Sequence, residues 1–229
     1  MKDIGDRMKK YESASQFRLT PRTPVIIRLD GKAFHTLTRS FEKPFDAFFM
    51  SIMVEAAREV CKEIQGFQFA YVQSDEVNIL ISDNTALNSQ GWFDYKLSKM
   101  VSVAAGLMST HFTTQLKTLY NTKIGIFDAR AFNVPAEDVP NYFVWRIKDW
   151  LRNSLSMYAR SVFSHKELIK KSQAEVHEML HEKGLNWATD LNDISKNGTW
   201  ILKDLKAHSW EVHSYREVEM IWETIKSST

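Results

Sequence analysis

Pro24-Val25-Ile26-Ile27-Arg28-Leu29-Asp30-Gly31 is a short β-branched run that stops at Asp-Gly, which predicts a strand over Pro24 to Asp30 ending at Gly31. Downstream, Phe45 to Ile64 places Phe49, Ile52, Met53, Ala56, Val60 and Ile64 at helical spacing before Gly66. Phe67 to Val72 and Val77 to Ile81 are two further strand-like runs. The polar residues Gln73, Ser74, Asp75 and Glu76 between them predict a hairpin turn. Trp92 to Leu116 has helical character, and Lys123 to Phe132 reads as a fourth strand. The order β-α-β-β-α-β predicts an α+β fold, a ferredoxin-like sheet of antiparallel strands. If strand one runs up, its helix returns down and strand two runs up, so the hairpin turn falls beside the end of strand one. Asp30 and Asp75, 45 positions apart, therefore meet at one sheet edge.

The remainder sets the frame around that sheet. Pro140 to about Lys183 is mainly helical in pattern, while Asn186 to Thr229 mixes tryptophans with polar residues and has no clean period. The expected organisation is a catalytic region at 1–135 and a mainly helical extension at 136–229 packed on it as one integrated domain. The 229 residues suffice for a substantial core. A net charge of +2 does not by itself argue for nucleic acid. Cys61, the single cysteine, falls in the first helical pattern; it excludes an internal disulfide and any thiolate zinc cluster in these residues. No apolar run approaches a membrane span, and the acidic, polar opening Met1-Lys2-Asp3-Ile4-Gly5-Asp6 is unlike a signal or transit peptide. A cytoplasmic protein without membrane contact is expected.

Two carboxylates on one edge suit magnesium, which takes few protein ligands, keeps waters and accepts substrate phosphates. A pair of such ions assists phosphoryl chemistry from both the attacking and the leaving side. Lys32, Ala33, Phe34 and His35 follow directly, and their backbone N–H groups and basic side chains suit a triphosphate, although the glycine spacing of a P-loop is absent.

At this point the motifs become recognisable. Arg28-Leu29-Asp30-Gly31-Lys32-Ala33-Phe34-His35, Phe41-Glu42-Lys43-Pro44, Gln73-Ser74-Asp75-Glu76 and Phe127-Asp128-Ala129-Arg130 occur in collinear order. They are followed by Asn141-Tyr142-Phe143-Val144-Trp145-Arg146, Asp149, Arg152-Asn153-Ser154 and Phe163-Ser164-His165-Lys166-Glu167-Leu168. Together with the opening Gly5-Asp6-Arg7-Met8-Lys9, the chain resembles the tRNA-histidine guanylyltransferase superfamily of 3′-to-5′ polymerases over nearly its whole length. The resemblance implies a polymerase-type palm and a metal site made of Asp30, the Gly31 carbonyl and Asp75 that holds two Mg2+ ions. It implies nucleotide contacts from Asp30, Gly31, Lys32, Ala33, Phe34, His35, Ser74 and Asp75, with Lys43 and Lys99 near phosphates. Glu76, beside Asp75, joins Asp30 and Asp75 in the expected catalytic set, tuning Asp75 or pointing away. The implied partners are tRNA and GTP, ATP and other nucleoside triphosphates, in a homotetramer. The implied reaction activates an RNA 5′ end with a triphosphate and then lets the 3′-hydroxyl of an incoming nucleotide attack it. Eukaryotic members that serve tRNA-histidine carry His-Ile-Asn-Asn-Leu-Tyr-Asn where this chain has Trp150-Leu151-Arg152-Asn153-Ser154-Leu155-Ser156. That resembles instead the bacterial and archaeal guanylyltransferase-like proteins that repair truncated tRNA 5′ ends on a template. Phe45 also stands where the family often has Asn.

Arg146, Asp149, Asn153, Ser156 and Arg160 recur at steps of three and four, a polar stripe opposite Ile147, Leu151, Leu155 and Tyr158. With the resemblance, Arg130, Arg146, Asp149, Arg152 and Asn153 become the expected RNA contacts. Lys9-Lys10 and Lys170-Lys171 read as solvated charge. His177-Glu178-Met179-Leu180-His181 matches the H-E-x-x-H zinc pattern but lacks a convincing third ligand, so no zinc site is expected. Trp145, Trp150 and Trp222 sit among apolar residues and are expected in the core. The competing readings are strict tRNA-histidine guanylyl addition, a non-catalytic RNA-binding module on the same sheet and a nucleotide cyclase on the same palm. The aromatic signature of an RNA-recognition motif is not found.

Overall fold

The structure, a computed structural model, describes residues 3–84, 88–120 and 123–227; Met1, Lys2, Ser228 and Thr229, parts of the opening and of the tail read above, lie outside it. In chain order the elements are α1 (Ile4–Ser13), β1 (Val25–Gly31), α2 (Phe34–Leu37), α3 (Ala47–Glu63), β2 (Phe67–Gln73), β3 (Glu76–Ile81), α4 (Leu97–Leu116) and β4 (Phe127–Asn133). Then follow α5 (Val139–Val162), α6 (His165–Leu168), α7 (Gln173–Glu182), α8 (Trp187–Asp190), α9 (Asp193–Asn197), β5 (Thr199–Leu202), β6 (Ala207–His208) and α10 (Tyr215–Ser227). The strands make one antiparallel sheet in the order β4-β1-β3-β2-β5-β6. Its first four strands have the expected ferredoxin-like arrangement.

Strand alternation divides the sheet between two cores. Val25, Ile27 and Leu29 of β1 pack on one face with Ile52, Met53, Ala56 and Val60 of α3 and with Met100, Met108 and Phe112 of α4. Ile26, Phe69, Tyr71 and Leu80 point to the other face, where Phe143 and Ile147 of α5 and Trp222 of α10 cover them. The start of α3 is fixed by Asp46, whose carboxylate accepts the Phe49 N–H at 2.8 Å and the Glu42 N–H at 3.0 Å.

Three expectations need correction. Trp92 to Leu116 is not one helix: Trp92–Tyr95 forms a tight 3-10 turn in which Phe93, Asp94 and Tyr95 take φ of 50°, 53° and 59° before α4 begins. Tertiary contacts override helix propensity there. The Leu19 N–H donates to Tyr95 O and the Leu97 N–H to Phe17 O, while a Cβ on Gly91 would stand 2.0 Å from the Tyr95 ring. The fourth strand begins at Phe127 rather than Lys123. The mainly helical 136–229 segment also adds two strands, β5 pairing with β2 and β6 with β5, so it shares the sheet with the region before it. Finally, Trp150 and Trp222 are buried as expected, but Trp145 is 54% exposed, with its ring face 4.5 Å from the Arg146 guanidinium.

Candidate active site

The β2–β3 hairpin closes with Ser74 and Asp75 alone between the paired residues Gln73 and Glu76, and Ser74 takes φ 48° to make so short a turn. β1 lies beside β3 with Asp30 opposite Glu76, so the turn overhangs the end of β1. The Gly31 N–H donates to Asp75 O at 3.0 Å. A Cβ on Gly31 would fall 2.8 Å from Asp75 Oδ2 and 2.4 Å from the Phe34 ring, so this close approach of carboxylate to backbone requires glycine. Asp30 and Asp75 thus converge on one edge. Burial pushes the Asp75 carboxyl above the ordinary carboxylate range; its own backbone amide and the Ser74 hydroxyl oppose the rise, and the charges of Asp30 and Glu76 add to it. A buried carboxylate facing like charges is stabilised by a cation. Two carboxylates and a glycine carbonyl are also the sparse oxygen set that magnesium accepts.

The segment after Gly31 is held from below. Phe34 is a core residue, its ring 4.9 Å from Phe127, 5.3 Å from Phe112 and 6.1 Å from Phe49, so only its backbone is offered to a ligand. Lys32 N–H is spent on Ile126 O at 2.8 Å. Ala33 takes the left-handed conformation, φ 56°, a strained choice for a residue with a side chain. The consecutive N–H groups of Ala33, Phe34 and His35 find no acceptor among the described residues. Such a run of N–H groups is an anion nest. It opens into a cleft of about 490 Å³ also lined by Lys43, Ser74 and Asp75. Lys43 Nζ donates to Thr38 O at 3.0 Å at this rim.

Several residues lie elsewhere than the sequence reading put them. Lys99 stands in the first turn of α4 over the Phe93 ring, whereas Phe112, thirteen residues on, touches Phe34. At 1.5 Å per residue that separates Lys99 from the nest by roughly 20 Å along the helix, at the opposite end of the sheet. Lys32 is exposed outside the cleft lining. Glu76 points away from Asp75's side into the α5 face of the sheet, where Arg146 grips it with Nε at 2.7 Å and a terminal nitrogen at 2.8 Å. Gln73 and Asn78 donate to the same carboxylate at 3.0 and 2.7 Å, and Arg28 reaches it at 2.5 Å. Arg146 is therefore buried, 4% exposed, and besides the Trp145 ring it also donates to Asp149 at 3.0 Å. Arg152 and Asn153 are exposed and hold Asp149 from the outer side. Arg130 is exposed on β4, 4.0 Å from Asp30 and 3.7 Å from Asp128.

The sequence reading missed Arg28, which lies between Glu76 and Asp30 at 3.5 Å from the latter. Two-residue strand periodicity puts it on Asp30's face and was the available signal. It also missed that Trp150, Met157 and Arg160 of α5 wall the cleft, with Phe45 edge-on to Trp150 at 6.2 Å. Among the described residues no group of three or more His, Cys, Asp or Glu side chains is placed to hold a metal ion.

The sequence pattern of the tRNA(His) guanylyltransferase family matches residues 5–135. This chain belongs to that family. The tRNA(His) guanylyltransferase of Schizosaccharomyces pombe is 31% identical over 211 residues, 85% of this chain and 78% of the relative. A bacterial tRNA(His) guanylyltransferase-like protein in complex with ATP superposes with a TM-score of 0.93 at 35% identity, covering 97% of this chain and 99% of that one. A bacterial guanylyltransferase-like protein in complex with GTP gives 0.83 at 33% identity with the same coverage. The Saccharomyces cerevisiae enzyme, at 20% identity and 0.78, shares the fold. The protein is a family nucleotidyltransferase, consistent with 3′-to-5′ nucleotide addition to tRNA. Among the described residues no helix is long and apolar enough to cross a membrane.

Proposed function

We propose that this guanylyltransferase-family enzyme repairs or extends tRNA 5′ ends against a template, using ATP, GTP or other triphosphates at the Asp30–Asp75 edge. The observation that carries the reading is the convergence of Asp30 and Asp75 at the edge of a nucleotide-sized cleft that Asp75 and three unpaired backbone N–H groups line. Asp30, Asp75 and the Gly31 carbonyl would hold Mg2+, which when bound neutralises phosphate charge and lowers the barrier to displacement at phosphorus. The Ala33–His35 nest and Lys43 bind and orient the triphosphate, Lys43 as a point cation. Ser74 positions the Asp75 carboxylate through its hydroxyl. Phe45, Trp150 and Met157 shield the cleft from water. Activation joins the RNA 5′-phosphate to the α-phosphorus of one triphosphate and releases pyrophosphate. Addition then lets the 3′-hydroxyl of the incoming nucleotide attack the activated 5′-phosphate and release the nucleoside monophosphate.

Arg130, Arg152 and Asn153 are the proposed RNA contacts; Arg146 and Asp149, engaged in ion pairs with Glu76, with each other and with Arg152, are left out of that set, and Lys99 is left out of the nucleotide contacts. The bacterial-type sequence in place of the eukaryotic tRNA-histidine motif favours templated repair over strict tRNA-histidine specificity. A cytoplasmic homotetramer completes the proposal. Incubation with labelled triphosphates and a tRNA lacking its first 5′ nucleotide tests it. Template-matched growth at the 5′ end is expected. Binding without extension supports an RNA-binding module instead, and a cyclic nucleotide formed without RNA supports a cyclase.

A further inference from the structure

The α5 helix leaves the catalytic cleft and packs on α6 and α7 through Leu155, Ala159, Leu168, Val176 and Leu180, leaving an open notch at the edge of that contact. This notch is a second cavity of about 240 Å³. Its lining carries Arg152, Arg160, His165 and Lys171, its apolar part is Leu155, Ala159, Leu168, Ile169 and Val176, and no carboxylate lines it. Arg160 lines the catalytic cleft as well, so one guanidinium forms the shared wall. Neither Arg160 nor the His165 ring has a hydrogen-bond or ion-pair partner among the described residues. Arg152 and Lys171 are held by Asp149 and Glu175 in exposed pairs, which contribute little and yield readily to a phosphate. From Arg152 to Arg160 the helix advances two turns, about 12 Å.

We propose that this cavity is a second RNA subsite, taking one nucleotide of the strand that leaves the catalytic cleft. Its phosphates lie against Arg160, His165 and Lys171, and its base or sugar rests on Leu168 and Ile169. The inference rests on the tRNA reading of the cleft and deepens it. Three features favour a nucleotide over a bare anion or an acidic peptide. The cations are strung along the exit from a site that already handles nucleotides, part of the lining is apolar, and the space suits one unpaired nucleotide rather than a duplex. Lys171 thereby passes from solvated charge to ligand.

The test is equilibrium binding of a fluorescent 5′-truncated tRNA across a salt series, with ATP binding and melting temperature measured in parallel. The proteins are wild type, the double variant His165→Ala with Lys171→Ala, and Ile169→Glu; none of these residues lines the cleft. Both variants are expected to bind RNA about tenfold more weakly, since charge-assisted contacts to phosphate are lost or opposed. In the double variant the slope of log affinity against log salt should become shallower by about 0.7 for each phosphate contact removed. ATP affinity and melting temperature should not change. Wild-type affinity and slope in both variants overturn the subsite while leaving the tRNA reading intact. Parallel loss of ATP affinity overturns it too, and a wild-type protein that binds no RNA removes the tRNA reading together with this inference.

Discussion

Replacing Arg146 by methionine separates two roles that its place in the sequence leaves open. Its guanidinium makes two hydrogen bonds of 2.7 and 2.8 Å to Glu76 and is 4% exposed, so it does not present a free charge to RNA. Removing one partner of such a buried pair costs about 3–5 kcal/mol, because the other charge stays behind. Here Glu76 keeps Arg28, Gln73 and Asn78, which sets the expectation at the lower end, about 3 kcal/mol. For a chain of this length that lowers the melting temperature by roughly 6–12 °C. Glu76 would then draw Arg28 wholly to itself and away from Asp30, so turnover should fall at permissive temperature while tRNA affinity changes less than twofold. Adding Glu76→Gln should restore part of the lost stability, since the buried carboxylate is then gone and only the partly exposed Arg28 loses a partner. Thermal and urea melts, single-turnover addition and fluorescence binding measure the three quantities. A stability loss below about 1 kcal/mol combined with a tenfold drop in RNA affinity would refute the reasoning and return Arg146 to the RNA surface.

Asp30→Ala and Asp75→Ala should each abolish both activation and addition with the circular dichroism spectrum preserved, and more than a few per cent residual activity in either would sink the metal assignment. In chelator at neutral pH, Asp75→Asn should melt higher than wild type: the native carboxyl is pushed up by burial and nearby charge, so its ionised form burdens the metal-free fold. That advantage should vanish at acid pH, where the native carboxyl is itself protonated. Gly31→Ala should lose both activity and stability, because the added methyl meets Phe34 and the Asp75 carboxylate; full activity would mean the hairpin does not sit against β1 as described. Arg152→Ala should weaken tRNA binding and leave ATP affinity unchanged, as titrations of the two ligands would reveal.

The four-strand frame and the meeting of Asp30 with Asp75 were legible in the sequence because they depend on strand period, crossover direction and a polar turn, all local signals. What was not legible depends on long-range partners. Nothing near Arg146 marks it as a buried ion-pair member, since its partner Glu76 is 70 positions away. Asparagine-rich and tryptophan-rich stretches hid β5, whose buried Thr199, Trp200 and Ile201 lack alternation because both sheet faces are covered. The kink before α4 came from pairing with residues 17–19, which the helical pattern of Trp92 to Leu116 does not register. Lys99 came from the resemblance alone: α4 runs toward the nest, so its first turn, with Lys99 over the Phe93 ring, lies at the far end.

The central claim is that Asp30, Asp75 and the Gly31 carbonyl form a two-ion site completed by a triphosphate. Mn2+ binding followed by electron paramagnetic resonance, with a non-hydrolysable ATP analogue in place, tests it most directly. The account predicts two bound ions per chain in wild type and loss of bound Mn2+ in Asp30→Ala and in Asp75→Ala. Two ions retained in either variant would contradict it.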